Sequence, residues 1–219
     1  MNHTHPAQLA VIRQLLFAPQ SRFSQLNVFR LDNNHFDYHL QRLLKNGQIT
    51  KDGNLYSLTS TGLKLANQID TNDLTIVNQP KLGVLICVTK LVNNQKLILL
   101  GKRLKNPNIN KIGFYASKVR LGESIYQSAN RCLIEEVGLE CLFAYSGTVR
   151  IIDPENDRLM IYLKAKPVST NYLPRTNRSI NKWFPVSQIE HISHTFNDFS
   201  EDLRLFFSNR KFFSERTVI

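Results

Sequence analysis

From residue 6 to residue 70 apolar positions return at helical spacing. In "AQLAVIRQLLFAP" Leu9, Ile12, Leu15 and Leu16 share one face, and Pro19 ends the helix they predict. "RFSQLNV" predicts a short second helix with Ser24 near its start. In "LDNNHFDYHLQRLLKNG" the stripe is Phe36, Leu40, Leu43 and Leu44, stopped by Gly47. Two extended runs in "QITKDGNLYSLTSTG" flank Asp52-Gly53, a strong hairpin signal, and "TGLKLANQID" predicts a closing helix. "TNDLTIVNQP" has no period and ends in Pro80, so it reads as a linker.

Beyond residue 81 the period changes to that of strands. "LGVLICVTKLV" and "QKLILLGKR" are β-rich runs separated by Asn93-Asn94, and "FAYSGTVRIID" and "RLMIYLKAKPV" form a second pair around "PEND". Between the pairs lies a helical stretch at 124–137, and "DFSEDLRLFFSN" is amphipathic near the C-terminus. The class this predicts is α+β, with a first domain at 1–72, a linker at 73–81 and a mixed-sheet α/β/α domain at 82–219.

The order helix, short helix, helix, hairpin, helix resembles winged helix-turn-helix regulators, whose third helix carries the pattern "HLxxLxxxG" seen here at 39–47. The resemblance implies that the third helix enters the major groove of duplex DNA and the wing touches the backbone. It points to Asn34, Tyr38, Gln41, Arg42 and Lys45 on that helix and to Lys51 on the wing. A domain that serves only protein contacts or homodimerisation is the alternative.

Charge sharpens the picture. The chain carries a net charge of +11, yet residues 1–75 hold seven Lys or Arg against five Asp and net only +2. Residues 74–122 contain no acid but nine basic side chains, among them Lys102, Arg103 and Lys118. Such a one-signed segment favours an anionic partner, the phosphates of a nucleotide or of nucleic acid, over a bare solvated face. No apolar run is long enough to span a bilayer, and "MNHTHPAQLA" lacks the pattern of a signal peptide, so the expectation is a cytoplasmic protein with no membrane partner. Three cysteines, Cys87, Cys132 and Cys141, have no metal-type spacing and no closed pairing.

The helix at 124–137 carries the chemistry. Ser124 and Gln127 make a capping box, Ile125, Ala129, Leu133 and Val137 form the face expected against the sheet, and Gly138 suits a left-handed helix end. Cys132, Glu135 and Glu136 are expected on the other side, where neighbouring carboxylates suit a hard cation. Arg131 and Glu135 stand at i, i+4.

Glu123, Arg131, Leu133, Glu135, Glu136, Gly138 and Leu139 match the spacing G-x5-E-x7-R-E-U-x-E-E-x-G-U, with U aliphatic, and the segment resembles a Nudix (MutT-like) box. The resemblance covers about residues 80–210, including "NKWFPVSQIEHI". It implies Mg²⁺- or Mn²⁺-assisted cleavage of a nucleoside diphosphate linked to another group. It gives metal-ligand roles to Glu135, Glu136 and the Ala116 carbonyl, an orienting role to Arg131 and a supporting one to Glu123. Lys102, Arg103 and Lys118 become candidates for the phosphates.

Two positions depart from the pattern. Ser117 replaces the first glycine, and Cys132 replaces a metal-binding glutamate, for which a thiol is a poor substitute. The resulting expectation is a nucleotide-responsive DNA-binding regulator whose Nudix-like domain, with a weakened metal site, binds a nucleoside-diphosphate-linked metabolite such as ADP-ribose. The alternative is an active Mg²⁺-dependent pyrophosphohydrolase in which Glu190, Asp198, Glu201 or Asp202 supplies the missing carboxylate. A role in RNA processing is a third, weaker option.

Overall fold

The computed structural model describes residues 4–70, 72–77, 79–154, 156–208 and 210–217, with only the backbone of Asn156. The chain divides into two units, Met1–Gln79 and Pro80–Ile219. Among the described residues no helix is long and apolar enough to cross a membrane.

The first unit opens with helix α1 (Pro6–Phe17). His5 caps it: its Nδ1 accepts the Ala7 N–H at 3.2 Å, and Gln8 Oε1 accepts the His5 N–H at 3.1 Å. Strand β1 (Ser21–Arg22) was not expected, and helix α2 (Phe23–Leu26) is shorter than the "RFSQLNV" reading, with Arg22 rather than Ser24 at its start. The reason is local. Asn27 Nδ2 donates to the Leu31 carbonyl at 2.7 Å and its Oδ1 accepts the Leu31 N–H at 2.9 Å, so a side chain takes over backbone partners where the helix would continue.

Helix α3 (Asn33–Lys45) is capped by Asp32, which accepts the His35 N–H at 2.9 Å, and it buries Phe36, Leu40 and Leu43 as the stripe predicts. Strands β2 (Ile49–Asp52) and β3 (Leu55–Leu58) turn at Gly53, whose φ of +54° is the left-handed conformation a tight hairpin needs. Helix α4 (Ser60–Ala66) follows, and the small sheet runs β1-β3-β2. This order of elements, with the β2–β3 hairpin in the place of a wing, fits a winged helix-turn-helix. Part of the segment read as linker folds back on this unit: Leu74 packs on its core, and the Val77 N–H donates to the Gln68 carbonyl at 2.8 Å.

The second unit is built on strands β4 (Lys81–Val92), β5 (Gln95–Arg103), β6 (Ile112–Gly113), β7 (Tyr115–Lys118), β8 (Cys141–Asp153), β9 (Asn156–Pro167), β10 (Ser179–Pro185) and β11 (Phe212–Thr217). The main sheet runs β10-β5-β4-β9-β8-β11 and is mixed, with β4–β9 and β8–β11 parallel. One edge of β4 is shared: residues 83–86 pair with β7 and residues 88–92 pair with β5. The sheet therefore splays between β7 and β5, and a cleft opens at the divergence.

Period-two alternation sends Val84, Ile86 and Val88 to one face, under helix α5 (Ile125–Val137), and Cys87 to the other. The second face carries a 3-10 helix at Val186–His191 and helix α6 (Phe199–Phe206). Both cores are built mainly of apolar side chains, and each fully buried Leu or Ile contributes roughly 1.5–3 kcal/mol over an exposed one. Strands β6, β7, β10 and β11 had no counterpart in the pattern reading. All are short or polar, with pairing decided by distant partners.

Candidate functional site

The turn that leads into α5 is pinned by one carboxylate. Glu123 accepts Arg131 Nε at 2.7 Å and Arg131 Nη2 at 2.9 Å, a two-point pair, and also accepts the Arg120 N–H at 3.0 Å. The Arg131 guanidinium, followed by the backbone N–H, holds the Glu123 carboxyl down at about 2. Arg131 Nη2 further donates to the Lys118 carbonyl at 3.0 Å, so β7, the turn and the helix are joined through one side chain. Glu123 and Arg131 are thus placed to position the segment, and neither lines the cleft.

Gly138 ends α5 at φ +74°, as expected of the helix stop. Two structural reasons coincide there. A side chain would be strained in that conformation, and its Cβ would meet the Asn171 carbonyl oxygen at 2.5 Å and Leu173 Cγ at 2.8 Å. The 171–181 segment crosses the helix end at that point. Asn181 fastens it: Nδ2 donates to the carbonyls of Glu136 (2.8 Å) and Leu173 (2.9 Å), and Oδ1 accepts the buried Tyr115 hydroxyl at 3.0 Å.

Cys132 corrects the sequence expectation. It lies 2% exposed in the core between α5 and the sheet, not on an open face with the two glutamates. The buried arc of the helix is wider than the stripe Ile125, Ala129, Leu133 and Val137, because Ser128 and Cys132 turn inward beside it. Burial pushes the Cys132 thiol up to about 12, with the Glu136 charge adding to the effect, so it stays protonated at neutral pH.

Glu135 and Glu136 do come together, and cations surround them. Arg178 Nη1 lies 2.6 Å from Glu135 Oε2 and 3.8 Å from Glu136 Oε1. Arg120 and Arg131 approach Glu135 at 3.9 and 4.0 Å, and Lys105 approaches Glu136 at 3.6 Å. A magnesium or manganese ion needs several oxygen donors arranged around it. These residues do not fit one: both carboxylates face guanidinium or ammonium groups, and the third position of the pattern is a buried thiol. Among the described residues no group of three or more His, Cys, Asp or Glu is placed to hold a metal.

The cleft is lined by Glu136, Arg103, Arg178 and Ala116 toward α5, and by Asp198, Asp202, Arg158 and Arg216 toward α6. Aromatic rings, including Tyr115, Phe196 and Tyr162, stand between. Ala116 and Arg103 are therefore at the wall. Lys102, one position out of register from Arg103, does not line the cleft, and Lys118 contributes through its carbonyl rather than its ammonium.

Of the candidates for an extra carboxylate, Asp198 and Asp202 reach the cleft, while Glu190 and Glu201 do not line it. Arg216 on β11 binds three acids at once, Glu201 at 2.6 Å, Asp202 at 3.1 Å and Asp198 at 3.3 Å. Tyr162 donates to Asp202 at 2.6 Å, yet burial outweighs these partners and raises the Asp202 carboxyl above its usual range.

Arg178, Arg158, Arg216 and Tyr162 are cleft residues that sequence reasoning missed, as it missed Asn181, which fastens the segment carrying Arg178. Arg178 sits in "LPRTNRSINKW" with no periodic or motif signal, and Arg216 lies on an unexpected strand. In the first unit Asn34, Tyr38, Gln41, Arg42, Lys45 and Lys51 are all exposed. Arg42 Nη1 donates to the Tyr38 hydroxyl at 3.2 Å and lies over its ring, so these two present one surface. Behind them is a histidine cluster the sequence reading overlooked: His39 is buried, stacked on His5 at 4.1 Å, with its Nε2 3.2 Å from His35 Nε2.

Comparison with known proteins places the second unit. The NUDIX domain of Shewanella oneidensis NrtR, in complex with ADP ribose, superposes with a TM-score of 0.54 at 18% identity, covering 67% of this chain and 96% of that one. A NUDIX hydrolase from Nitrosomonas europaea gives 0.53 at 18% identity, covering 68% and 86%. At such identity these likenesses speak for the fold. No curated protein matches the chain in sequence. Residues 81–203, more than half of the chain, match the NUDIX domain, and the mixed sheet, the box helix and the cleft above it agree: this chain belongs to the Nudix family.

Proposed function

We propose that the chain is a nucleotide-responsive DNA-binding regulator. The first unit binds duplex DNA through α3 and the wing, and the Nudix unit binds a nucleoside-diphosphate-linked metabolite without turning it over efficiently. One observation carries the reading: the carboxylates of the box are ion-paired to Arg178, and the remaining position of the set, Cys132, is a core residue. A cleft that keeps arginines and aromatic rings but lacks a metal-binding carboxylate set suits binding over hydrolysis. Magnesium or manganese enters this reading only as a competitor with Arg178 for Glu135 and Glu136. The exposed Tyr38–Arg42 pair with Gln41, Lys45 and Lys51 supplies phosphate and groove contacts of the kind a winged helix uses.

The competing reading is a pyrophosphohydrolase that draws a carboxylate from Asp198 or Asp202, since both line the same cleft. ADP-ribose, the ligand bound by the Shewanella NUDIX domain, is the probe that separates the two. The experiment is fluorescence anisotropy of the full chain on duplex fragments over a salt series, with and without ADP-ribose, while chromatography follows the nucleotide. The regulator reading expects DNA affinity that falls steeply with salt and shifts on adding ADP-ribose, with the nucleotide recovered intact. Arg42→Ala and Lys45→Ala should each flatten the log–log slope by about 0.9 per lost phosphate contact. Absence of DNA binding at low salt, or brisk Mg²⁺-dependent cleavage, would overturn it.

A further inference from the structure

Glu135 and Glu136 occupy the last turn of α5, and the segment before β10 is fastened to that same turn. The Glu136 carbonyl accepts Thr176 Oγ1 at 3.4 Å, Ser179 Oγ at 3.0 Å and Asn181 Nδ2 at 2.8 Å. Arg178 lies inside this clasp. Its N–H donates to Thr176 Oγ1 at 3.1 Å and its carbonyl accepts the Leu104 N–H at 2.8 Å. The backbone beneath the guanidinium is therefore fixed, and little further entropy is lost in holding it 2.6 Å from Glu135 and 3.8 Å from Glu136. The same side chain lines the cleft beside Arg103.

A divalent cation entering here would have to displace a tethered guanidinium and leave that charge, about one-third exposed at 37%, without its carboxylates. The oxygens it would gain are only two side chains, since the sulfur at Cys132 is a soft donor within the core. We infer that Arg178 is the resident cation of this site: it keeps divalent metal off Glu135 and Glu136 and, with Arg103, receives the diphosphate of the ligand directly. The second half rests on the diphosphate-linked ligand of the preceding section; the first half does not. A guanidinium can serve both partners, because its planar fork carries five N–H donors and its closest approaches to the carboxylates engage Nη1.

Two measurements on the full chain test this. In the first, Mn²⁺ is titrated and the free ion is read by electron paramagnetic resonance. The natural chain should bind no stoichiometric Mn²⁺ in the millimolar range, and Arg178→Ala should bind it about tenfold tighter or more, because it removes the cation that approaches both carboxylates and leaves Arg120, Arg131 and Lys105, none closer than 3.6 Å. Arg178→Lys, which keeps the charge, should stay nearly as inert. In the second, ADP-ribose binding is measured by calorimetry in EDTA and in Mg²⁺. The natural chain should bind equally in both, and Arg178→Ala should lose about tenfold or more in EDTA, as expected for removing a charged hydrogen-bond donor.

Trp183 fluorescence checks that each variant is folded, and Arg178→Gln replaces the alanine if it is not. Stoichiometric Mn²⁺ binding by the natural chain, unchanged in the variants, overturns the inference, as does ADP-ribose binding by the natural chain that is present in Mg²⁺ and lost in EDTA. If the Mn²⁺ result holds while ADP-ribose never binds, the metal-excluding role of Arg178 stands and the proposed ligand fails.

Discussion

Gly138→Ala tests whether the clasp over the box helix is as tight as its geometry. Two costs add at this position. The left-handed backbone, φ +74°, costs a residue with a Cβ about 1–2 kcal/mol. The new methyl would also sit 2.5 Å from the Asn171 carbonyl oxygen and 2.8 Å from Leu173 Cγ, and Leu173 is itself bonded to the Val137 carbonyl at 2.9 Å. Backbone cannot yield as a side-chain tip does, so overpacking of about 1–3 kcal/mol is added.

Gly122 provides the control. Its φ is +80° and a Cβ there meets nothing within 4 Å, so Gly122→Ala carries only the backbone cost. Trp183 is the sole tryptophan and lies in β10, so urea unfolding followed by its fluorescence reports the Nudix unit alone. With a urea slope of about 2 kcal/mol per M, Gly122→Ala should lower the midpoint by about 0.5–1 M and Gly138→Ala by about 1–2.5 M. Equal midpoints for the two variants would refute the tight crossing, and with it the fixed placement of Arg178.

Two further predictions follow from burial. Cys132→Glu should destabilise the Nudix unit by roughly 1–3 kcal/mol at neutral pH, because it puts a carboxyl into an apolar core near Glu135 and Glu136. Its folded pKa would be raised, so the loss should deepen as pH rises; unchanged stability in Trp183-monitored unfolding would place position 132 on the open side of the helix. For His39, burial first, then the neighbouring His5, His35 and Arg42, lower the pKa from 6.5. The unfolded state then binds the proton more readily, so this stability is complete above about pH 6.5 and falls on acidification, by at most ~1.4 kcal/mol per pH unit. Proton NMR titration of the histidines and melts at acid and neutral pH check this, and a His39 resonance titrating at or above 6.5 would contradict it.

Much of the fold was legible because local chemistry and tertiary structure agree. The stripe Phe36, Leu40 and Leu43, the turn at Gly53, and the Ser124–Gln127 cap each specify their element within a few residues of chain. The spacing of Glu123, Arg131, Glu135, Glu136 and Gly138 likewise announced a box helix. What failed locally was decided by longer contacts: α2 stopped where Asn27 captured Leu31, and β11 formed because β8 offered a parallel edge to "FFSERT".

The candidate site divides along the same line. Sequence by itself determined which acids stand on the helix and in what order, since a helix converts spacing into direction. It did not determine what they face. Cys132 turned inward because the sheet's apolar face covers a wider arc of α5 than one four-residue stripe, and that depends on Val84, Ile86 and Leu99 arriving beneath it. Arg178 reached Glu135 across 43 positions of sequence because three side chains hold its loop to one carbonyl at the helix end. The sign of the charge beside a carboxylate is a property of space, and only the tertiary structure brings that arginine there.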